Sequence, residues 1–519
     1  MAACFEPGSA AELEEFARLQ SRLPDLMRRV FGDRLAPRTV VVVPSLSLDE
    51  ESLARIPGAL HYEERQLSML LLLRMPNTRL VYVTSQPLHP LVVDYYLNMM
   101  QGVPTSHARG RLELLSAYDG GPGALSAKLL DRPRLLARLG AAIGDPGLAH
   151  LSVFSSSPLE RTLAVRLGIP LYSCDPALMH LGSKSGSREL FREAGVEMPA
   201  GAGNLRDRAD IVAALAELRR RDSGLRRAVV KLNEGFSGEG NALFEYDGAP
   251  TGPGLERWVD GELPRRLRFE APGEDFEHYL AKFEAMHGIV EAWIDGEDKR
   301  SPSVQLRINP VGGIEPLSNH DQVLGGPNGQ VFQGSVFPAA PEYRLAIQAA
   351  ALSVTERLRD RGVIGRVGVD FVVTRGPEGW RAVAIELNLR KGGTTHPFQM
   401  LQFLTDGRYC PEDGEFRTRG GEPRCYCATD NLSRDCYRSL TPDDVIEVAM
   451  QDGLHFDPAT QCGVAFSLLG CISQYGKVGL TAIAATPQAA RDLYAGAVAV
   501  LDRAAGCGDR RRDGPSPQR

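Results

Sequence analysis

The chain has 519 residues, 24% of them charged, and a net charge of −6; at about 150 residues per domain this predicts about two to four domains. The acidic balance excludes a global nucleic-acid footprint. The longest apolar block, Met69 to Leu73, is too short for a membrane-spanning helix, which needs about 18 apolar residues.

The N-terminal stretch has no basic segment followed by an apolar run, so no secretory signal is read. Nine cysteines do not make a disulfide scaffold, and a cytoplasmic protein with reduced thiols is expected. Of 59 basic residues, Lys holds only positions 128, 184, 231, 282, 299, 391 and 477. A GC-rich genome would explain the bias toward Arg. The bias also makes each retained Lys informative, because a compact ammonium suits a single phosphate oxygen and Arg does not replace it geometrically.

Residues 1–36 read as an acidic helix, Ala10 to Phe31, and a linker. From 37 to 172, β-branched runs starting at Thr39, Arg79, Leu112 and Leu151 alternate with helices at Tyr62 to Arg74, Val92 to Met100, Pro133 to Ile143 and Leu159 to Leu167. That alternation predicts a doubly wound parallel sheet. Between 173 and 404 the pattern turns to α+β. Helices at Lys184 to Ala194 and Leu205 to Arg221 precede a strand, Ala228 to Glu234, that runs into a Gly-rich loop. A long helix, Glu342 to Arg361, leads to paired strands at Arg366 to Val373 and Trp380 to Asn388. Thr405 to Arg424 is polar and rich in Gly and Pro, and reads as a loop. Residues 425–505 read as a small C-terminal α/β portion, and 506–519 as a disordered tail.

Four motifs carry chemistry. In the first, strand residue Lys231 is followed by Asn233, Glu234, Gly235, Ser237, Gly238 and Gly240. Glycines let backbone N–H groups approach phosphate oxygens. The Lys precedes the glycines, so this is no Walker A loop; a long hairpin turn would share the composition. The second motif is Asp370 with Glu386 and Asn388. Residues two apart on a strand share a face, so these three hard oxygen donors suit Mg²⁺ held between protein and nucleotide phosphates. Polar alternation on a solvent-facing sheet is the plain alternative, weakened because Asp and Asn are depleted in strands. The third is Arg390-Lys391-Gly392-Gly393-Thr394-Thr395-His396, cations and hydroxyls placed to hold an anion at the strand end. The fourth is Glu291 to Asp298, a strand stopped by a turn, whose free main-chain groups and flanking acids fit a purine edge and a ribose.

In this order and spacing the motifs resemble the ATP-grasp superfamily over about residues 173–400. The nearer likeness is to its carboxylate–amine ligase branch that contains the pheganomycin-type peptide ligase. It rests on the stretches GSKSGSRELFREAGV, VVKLNEGFSGEGNA, GRVGVDFVV, IELNLRKGGTTHPF, ATDNL and LLGCISQYGKVGLTAI. The resemblance implies an α/β protein with a pre-ATP-grasp domain at 37–172, a two-lobed α+β ATP-grasp core at 173–404 with a lid at about 200–295, and the C-terminal α/β extension. It implies ATP and Mg²⁺ as cofactors. Lys184 and Lys231 would contact the phosphates under a lid of 233–240. Glu291 would accept from the adenine amino group beside Trp293, Ile294 would pair through its backbone, and Asp298 or Glu297 would bind the ribose. Asp370, Glu386 and Asn388 would hold the metal. Arg390 would stabilise the transferring phosphoryl group. D-Ala-D-Ala-forming relatives carry an Arg two residues before the first metal Asp; here Gly368 stands there, and Arg366, four residues before, is the substitute. Gly393, Thr394, Thr395 and His396 would shape the substrate pocket. The activity implied is an amide-forming ligation of a small-molecule or peptide carboxylate to an amine through an acyl phosphate, in a homodimer that binds neither nucleic acid nor membrane.

Two other readings remain open at this point. One is a regulatory ATP-binding protein on the same fold, since fold alone grants no chemistry. The other is a carboxylase acting on bicarbonate, ranked lower because no biotin-carrier Met-Lys-Met segment is present. Cys410, Cys425, Cys427 and Cys436 with His455 do not match a structural zinc spacing and read as free thiols. His320 reads as a satisfied loop histidine, with His320 or His396 as a minor candidate for a base on the amine.

Overall fold

The structure is a computed structural model and describes residues 5–48, 50–235, 240–271, 273–296, 298–325 and 329–507. The N-terminal β-branched runs form a four-stranded parallel sheet of β1 (Arg38–Val43), β2 (Thr78–Thr84), β3 (Leu112–Ser116) and β4 (Ala149–Val153), ordered β3–β2–β1–β4. β1 reads as a continuous apolar run because both its faces are covered. Val41 and Val43 enter a core with Leu139 and Leu163. Val40 and Val42 enter a second core that reaches Phe398, Phe466 and Leu480.

Two expectations for this region are corrected. The single helix from Ala10 to Phe31 is two helices, Ala10–Gln20 and Leu23–Gly32. Pro24 lacks an N–H, and its ring would clash with the carbonyl four residues earlier, so it sits in the first turn of a new helix. The amphipathic helix expected at Tyr62 to Arg74 is a 3₁₀ helix, Ala59–Arg74, in which Glu63, Glu64 and Arg65 are buried along with Leu67, Leu70, Leu71 and Leu73. Each of the four polar residues in its Glu-Glu-Arg-Gln run is tied to another element. Glu63 accepts from the backbone and hydroxyl of Ser85 at 2.5 and 2.6 Å. Glu64 accepts from Gly470 N at 3.1 Å. Arg65 pairs with Asp430 at 2.8 Å, and Gln66 accepts from Lys391 at 2.6 Å.

Burial pushes the Glu63 carboxyl up to about 7, against the Ser85 hydrogen bonds and the charge of Lys128. A raised acid keeps its proton in the fold while the unfolded chain ionises from its usual 4.5 upward. Stability is therefore lost as pH rises between these values and is level above 7. At about 1.4 kcal/mol per pH unit, the expected loss is on the order of 3 kcal/mol. Urea melts from pH 4.5 to 7.5 should show it as a change of this size in the stability difference between the wild type and Glu63→Gln, because the other titrating groups are common to both; a difference that does not move with pH would rule it out.

The second sheet is antiparallel: β5 (Gly201–Leu205), β6 (Arg227–Leu232), β7 (Asn241–Glu245), β8 (Arg268–Phe269) and β9 (Gly288–Ala292), ordered β5–β9–β6–β7–β8. The helices Arg208–Arg221, Leu255–Arg266 and Phe276–Met286 bury its apolar face. The third sheet has nine strands. β10 (Lys299–Arg300), β11 (Pro302–Ile308), β12 (Ile314–Gly325), β13 (Val331–Phe337), β14 (Gly365–Gly376) and β15 (Gly379–Asn388) are joined by β18 (Cys425–Ser433), β19 (Gly463–Ser467) and β20 (Lys477–Ala484). The order is β10–β14–β11–β12–β13–β18–β20–β19, with β15 on β14.

The C-terminal strands are thus continuous with the core. β18 pairs with β13 from Ser335↔Ala428 to Phe337↔Tyr426, so 425–505 is no detached extension. The loop expected at Thr405 to Arg424 contains a hairpin of β16 (Arg408–Cys410) and β17 (Glu415–Arg417). Its polar composition conceals an alternation in which Phe416 is buried, and Arg344 binds Glu415 at 2.9 Å. Cys436 is not a free thiol: it forms a disulfide with Cys507, 71 residues on, which ties the end of the last helix, Pro487–Ala504, to the segment after β18. Residues 506 and 507 belong to the ordered chain, and the remainder of the expected tail lies outside the described residues. His320 lies on β12, in a strand and not a loop, fully buried against Phe337 and Tyr426, with neither ring nitrogen bonded.

Candidate active site

β14 and β15 pair antiparallel, with Asp370 opposite Glu386 and Gly368 opposite Asn388. Directly opposed residues point to the same side, so Asp370, Glu386 and Asn388 converge. Asn388 Nδ2 donates to Asp370 Oδ2 at 3.1 Å, and Gln322 Nε2 donates to Oδ1 at 2.9 Å. Lys184 Nζ meets Glu386 Oε1 at 2.6 Å. Lys184 is the first residue of the helix Lys184–Glu193, capped by Ser183, whose Oγ accepts from Gly186 N at 3.0 Å. That places an ammonium and the positive end of a helix dipole together beside the carboxylates.

Burial and then the facing Glu386 charge push Asp370 up. Burial also acts to raise Glu386, but Lys184, with Arg390 and Lys231, overcomes it and holds Glu386 below the usual carboxylate range. Two carboxylates that resist joint ionisation are what a divalent cation would relieve. The set fits Mg²⁺: hard oxygens from Asp370, Glu386 and the Asn388 amide would hold it. Among the described residues no group of three or more His, Cys, Asp or Glu gathers. Most of the octahedral shell is therefore left to phosphate oxygens and water, as Mg²⁺ prefers.

These strands line a cleft of about 560 Å³ together with Lys231, Trp293, Ile294, Lys299, Arg390, Gly393 and Thr394. Of the seven Lys in the chain, three (231, 299 and 477) line it and Lys184 binds Glu386 in it. Lys231 Nζ is held by Glu291 Oε2 at 2.7 Å, and Arg188 Nη1 by Glu291 Oε1 at 2.5 Å. Both Glu291 oxygens are thus in ion pairs, while Glu291 itself lines the cleft between Lys231 and Trp293. Lys299 Nζ lies 4.0 Å from the Trp293 ring centre, a cation–π contact at the cleft wall. Arg390 lies at the end of β15; burial lowers its pKa while Glu386 and Asp370 raise it.

The Gly-rich segment is described in part. Asn233 Oδ1 accepts from Ser185 N at 3.0 Å and Ser185 Oγ at 2.7 Å, so it clamps the end of β6 to the helix that carries Lys184. Glu234 and Gly235 follow it, exposed. Gly240 closes the base of the loop, its carbonyl accepting from Leu232 N at 2.9 Å. Ser237, Gly238 and Glu297 lie outside the described residues.

Among the described site residues expected, Lys184, Asn233, Glu234, Gly235 and Gly240 border the cleft without lining it, and Asp298, Thr395, His396 and Arg366 are also outside its lining. Asp298 pairs with Arg300 at 3.5 Å, and its carbonyl accepts from Arg375 N. Thr395 Oγ1 accepts from Gly392 N at 3.0 Å at the start of the helix Thr395–Thr405. His396 lies buried beside it, held neutral with a pKa of about 4 by burial. Arg366 faces Arg307, Tyr172 and Glu315, and burial with the Arg307 charge lowers it to about 10. It shares a face with Asp370, but four residues along a strand is about 13 Å, too far for a shared oxyanion. Lys391 also turns away, bonded to Gln66 and to Ser152 of β4, and is pushed down to about 7 by burial and Arg366.

Sequence reasoning missed a second group in the same cleft: Tyr62, Arg65 and Phe154 from the N-terminal part, and Asp430, Asn431 and Lys477 from β18 and β20. The scarcity of Lys was the signal for Lys477. Arg65 carried none, standing in a leucine-rich run.

Comparison with known proteins agrees with this architecture. A family model described as IQCH-like, ATP-grasp matches residues 176–248 and 269–410, and one described as PGM1 C-terminal domain matches 444–497. The L-propargylglycine–L-glutamate ligase of Streptantibioticus cattleyicolor is 32% identical over 471 residues, 89% of this chain and 94% of that one. IQ motif-containing protein H of Danio rerio is 23% identical over 444 residues, 77% of this chain and 42% of that one. Among solved structures, the ADP complex of N5-carboxyaminoimidazole ribonucleotide synthetase matches with a TM-score of 0.51 at 12% identity, over 90% of this chain and 98% of that one. The biotin carboxylase domain of Hydrogenobacter thermophilus 2-oxoglutarate carboxylase, with MgADP and bicarbonate, matches with the same TM-score of 0.51 at 14% identity, over 89% of each chain. These two carry the fold alone. The near full-length likeness to the propargylglycine–glutamate ligase carries more: this chain belongs to the ATP-grasp family, in its branch of carboxylate–amine ligases, and is an enzyme that uses ATP and Mg²⁺ to form C–N bonds.

Proposed function

We propose that the enzyme joins two free amino acids, coupling a carboxylate of one to the amine of the other. The observation that carries the chemistry is the cation-ringed carboxylate pair at one end of a single 560 Å³ cleft. The relative whose name holds two amino acids supports the substrate class.

In this reading Asp370, Glu386 and Asn388 hold Mg²⁺, which when bound supplies charge neutralisation at the phosphate oxygens. Lys184, no longer needed by Glu386, turns to the phosphates beside Lys231. The lobe at about 200–295 covers the nucleotide, with Trp293 and Ile294 along the purine and Asn233, Glu234, Gly235 and Gly240 at the base of the lid. Gly393 and Thr394 border the substrate. A substrate carboxylate oxygen attacks the terminal phosphorus, and the bond to the bridging oxygen breaks, so ADP leaves. The amine nitrogen then attacks the acyl carbon, phosphate departs with the C–O electrons, and the amine sheds a proton. Arg390 holds the negative charge that develops on the transferred group in both steps. The work is positioning and electrostatics. We also propose a homodimer, on family resemblance, and a cytoplasmic location, where ATP and free amino acids are supplied; among the described residues no helix is long and apolar enough to cross a membrane.

The test is mass spectrometry of pairwise amino-acid mixtures, L-glutamate and L-propargylglycine included, after addition of Mg-ATP. The expected product has the summed mass of two amino acids less one water, formed one for one with ADP. Turnover with amines or acids of other classes, and none with any amino-acid pair, would remove the amino-acid reading.

A further inference from the structure

We propose that Arg65, Asp430 and Lys477 form the head-group subsite for the α-carboxylate and amine of the amino acid that attacks. This deepens the amino-acid ligase reading and rests on it. The Arg65 guanidinium lies between two rings, its carbon 4.1 Å from the centre of Tyr62 and 4.8 Å from that of Phe154. Nη1 donates to Asp430 Oδ2 at 2.8 Å. Nε and Nη2, on the opposite edge, are buried and have no hydrogen-bond partner among the described residues.

An ion pair that served stability alone would have its donors satisfied, because a buried unbonded donor costs about 1–3 kcal/mol, and more when charged. The unsatisfied pair is also specific in shape. Nε and Nη2 form the side-on fork of a guanidinium, the edge that takes a planar carboxylate through two parallel hydrogen bonds.

Lys477 supplies a second cation. Its Nζ donates to Tyr62 Oη at 2.7 Å, one of three donors that an ammonium offers. Asp430 is buried and lines the same cleft as Asn431 and the metal set. Two cations against one carboxylate leave an excess of one positive charge. An α-amino acid with its amine unprotonated carries one negative charge, and that is the form that attacks an acyl group. The cluster therefore matches the reactive form. Asp430 accepts from the amine nitrogen while the carboxylate is held by Arg65 and Lys477. The site shares its cleft with the reacting end, since Arg65, Asp430 and Lys477 line it together with Arg390, Asp370 and Glu386.

The test is calorimetry on the full chain with Mg²⁺ and a non-hydrolysable ATP analogue. The probes are the twenty proteinogenic L-amino acids, each against its own α-carboxamide. At least one amino acid is expected to bind the wild type about 10-fold or more tighter than its amide, about 1.4 kcal/mol. In Arg65→Gln and Arg65→Lys the gap should shrink to less than about 3-fold. No acid preferred over its amide by the wild type, or an unchanged gap in both variants, overturns the subsite. The wild-type comparison needs no variant, so a misfolded Arg65→Gln does not protect the idea. The same amino acids and amides are then given with ATP in place of the analogue and ADP is assayed: acid-selective binding with no ADP release keeps the subsite and removes the ligation of amino acids. ADP release with amides as effective as acids does the reverse.

Discussion

Glu386→Ala is expected to lower amine-dependent ADP release by at least about 10³-fold, because a metal that stabilises transferring charge contributes several kcal/mol and each 1.4 kcal/mol is tenfold. The fold should survive. Glu386 faces Asp370 across the strand pair and raises it, so its removal relieves a repulsion. The ammonium of Lys184 loses its partner, but its charge already acts on Asp370 and can turn to it. The two effects oppose, and the melting temperature should move by only a few degrees. The measurements are ADP release under saturating Mg-ATP and thermal unfolding on the same preparation. Wild-type turnover in a folded variant would remove Glu386 from the metal set. Loss of the fold would mean that its pair with Lys184 outweighs the repulsion.

Glu291→Ala should behave in the opposite way, with its largest effect on stability. Glu291 is buried between Lys231 and Arg188 and binds each through a separate oxygen. Alanine leaves two buried cations without their common partner, and breaking a buried pair in this way costs about 3–5 kcal/mol. Glu291→Gln keeps one acceptor and should lose less. Adding Lys231→Met to Glu291→Ala removes one of the stranded charges and should recover part of the loss. Urea unfolding of the wild type, Glu291→Ala, Lys231→Met and the double variant gives the coupling directly. Additive losses in the double variant would mean that Lys231 finds water or another acceptor and that Glu291 does not position it.

The convergence of Asp370, Glu386 and Asn388 on one strand pair was legible because the strands break a local preference. Asp and Asn are poor strand residues, and their survival at 370 and 388 inside apolar runs marks a site. The Lys count worked for a similar reason, since Lys184 and Lys231 stand out against a chain that otherwise uses Arg. Arg366 shows where strand spacing stops informing. Periodicity gives the face of a residue and says nothing of its distance along the strand, and Arg366 shares the face of Asp370 while lying beside Arg307. Glu291 shows a second limit: its sequence setting gives no sign of the cations from another strand and a helix that meet its two oxygens. The meeting of Arg65 with Asp430 and Lys477 was beyond reach because the three lie in distant parts of the chain. Arg65 and Asp430 are 365 residues apart, and no local pattern records a contact that only tertiary packing creates.

The buried Glu-Glu-Arg-Gln run has a consequence for the order in which this protein can be made. A chain is synthesised from its N-terminus, and early domains ordinarily fold while later ones are still being added. Here Gln66 waits for Lys391, Arg65 for Asp430, Glu64 for Gly470 and Tyr62 for Lys477. Until those residues leave the ribosome, the first sheet has a charged, half-finished flank in place of a closed surface. The four-stranded sheet is thus synthesised long before it can be completed, and a chain that stops before β20 leaves it unsealed.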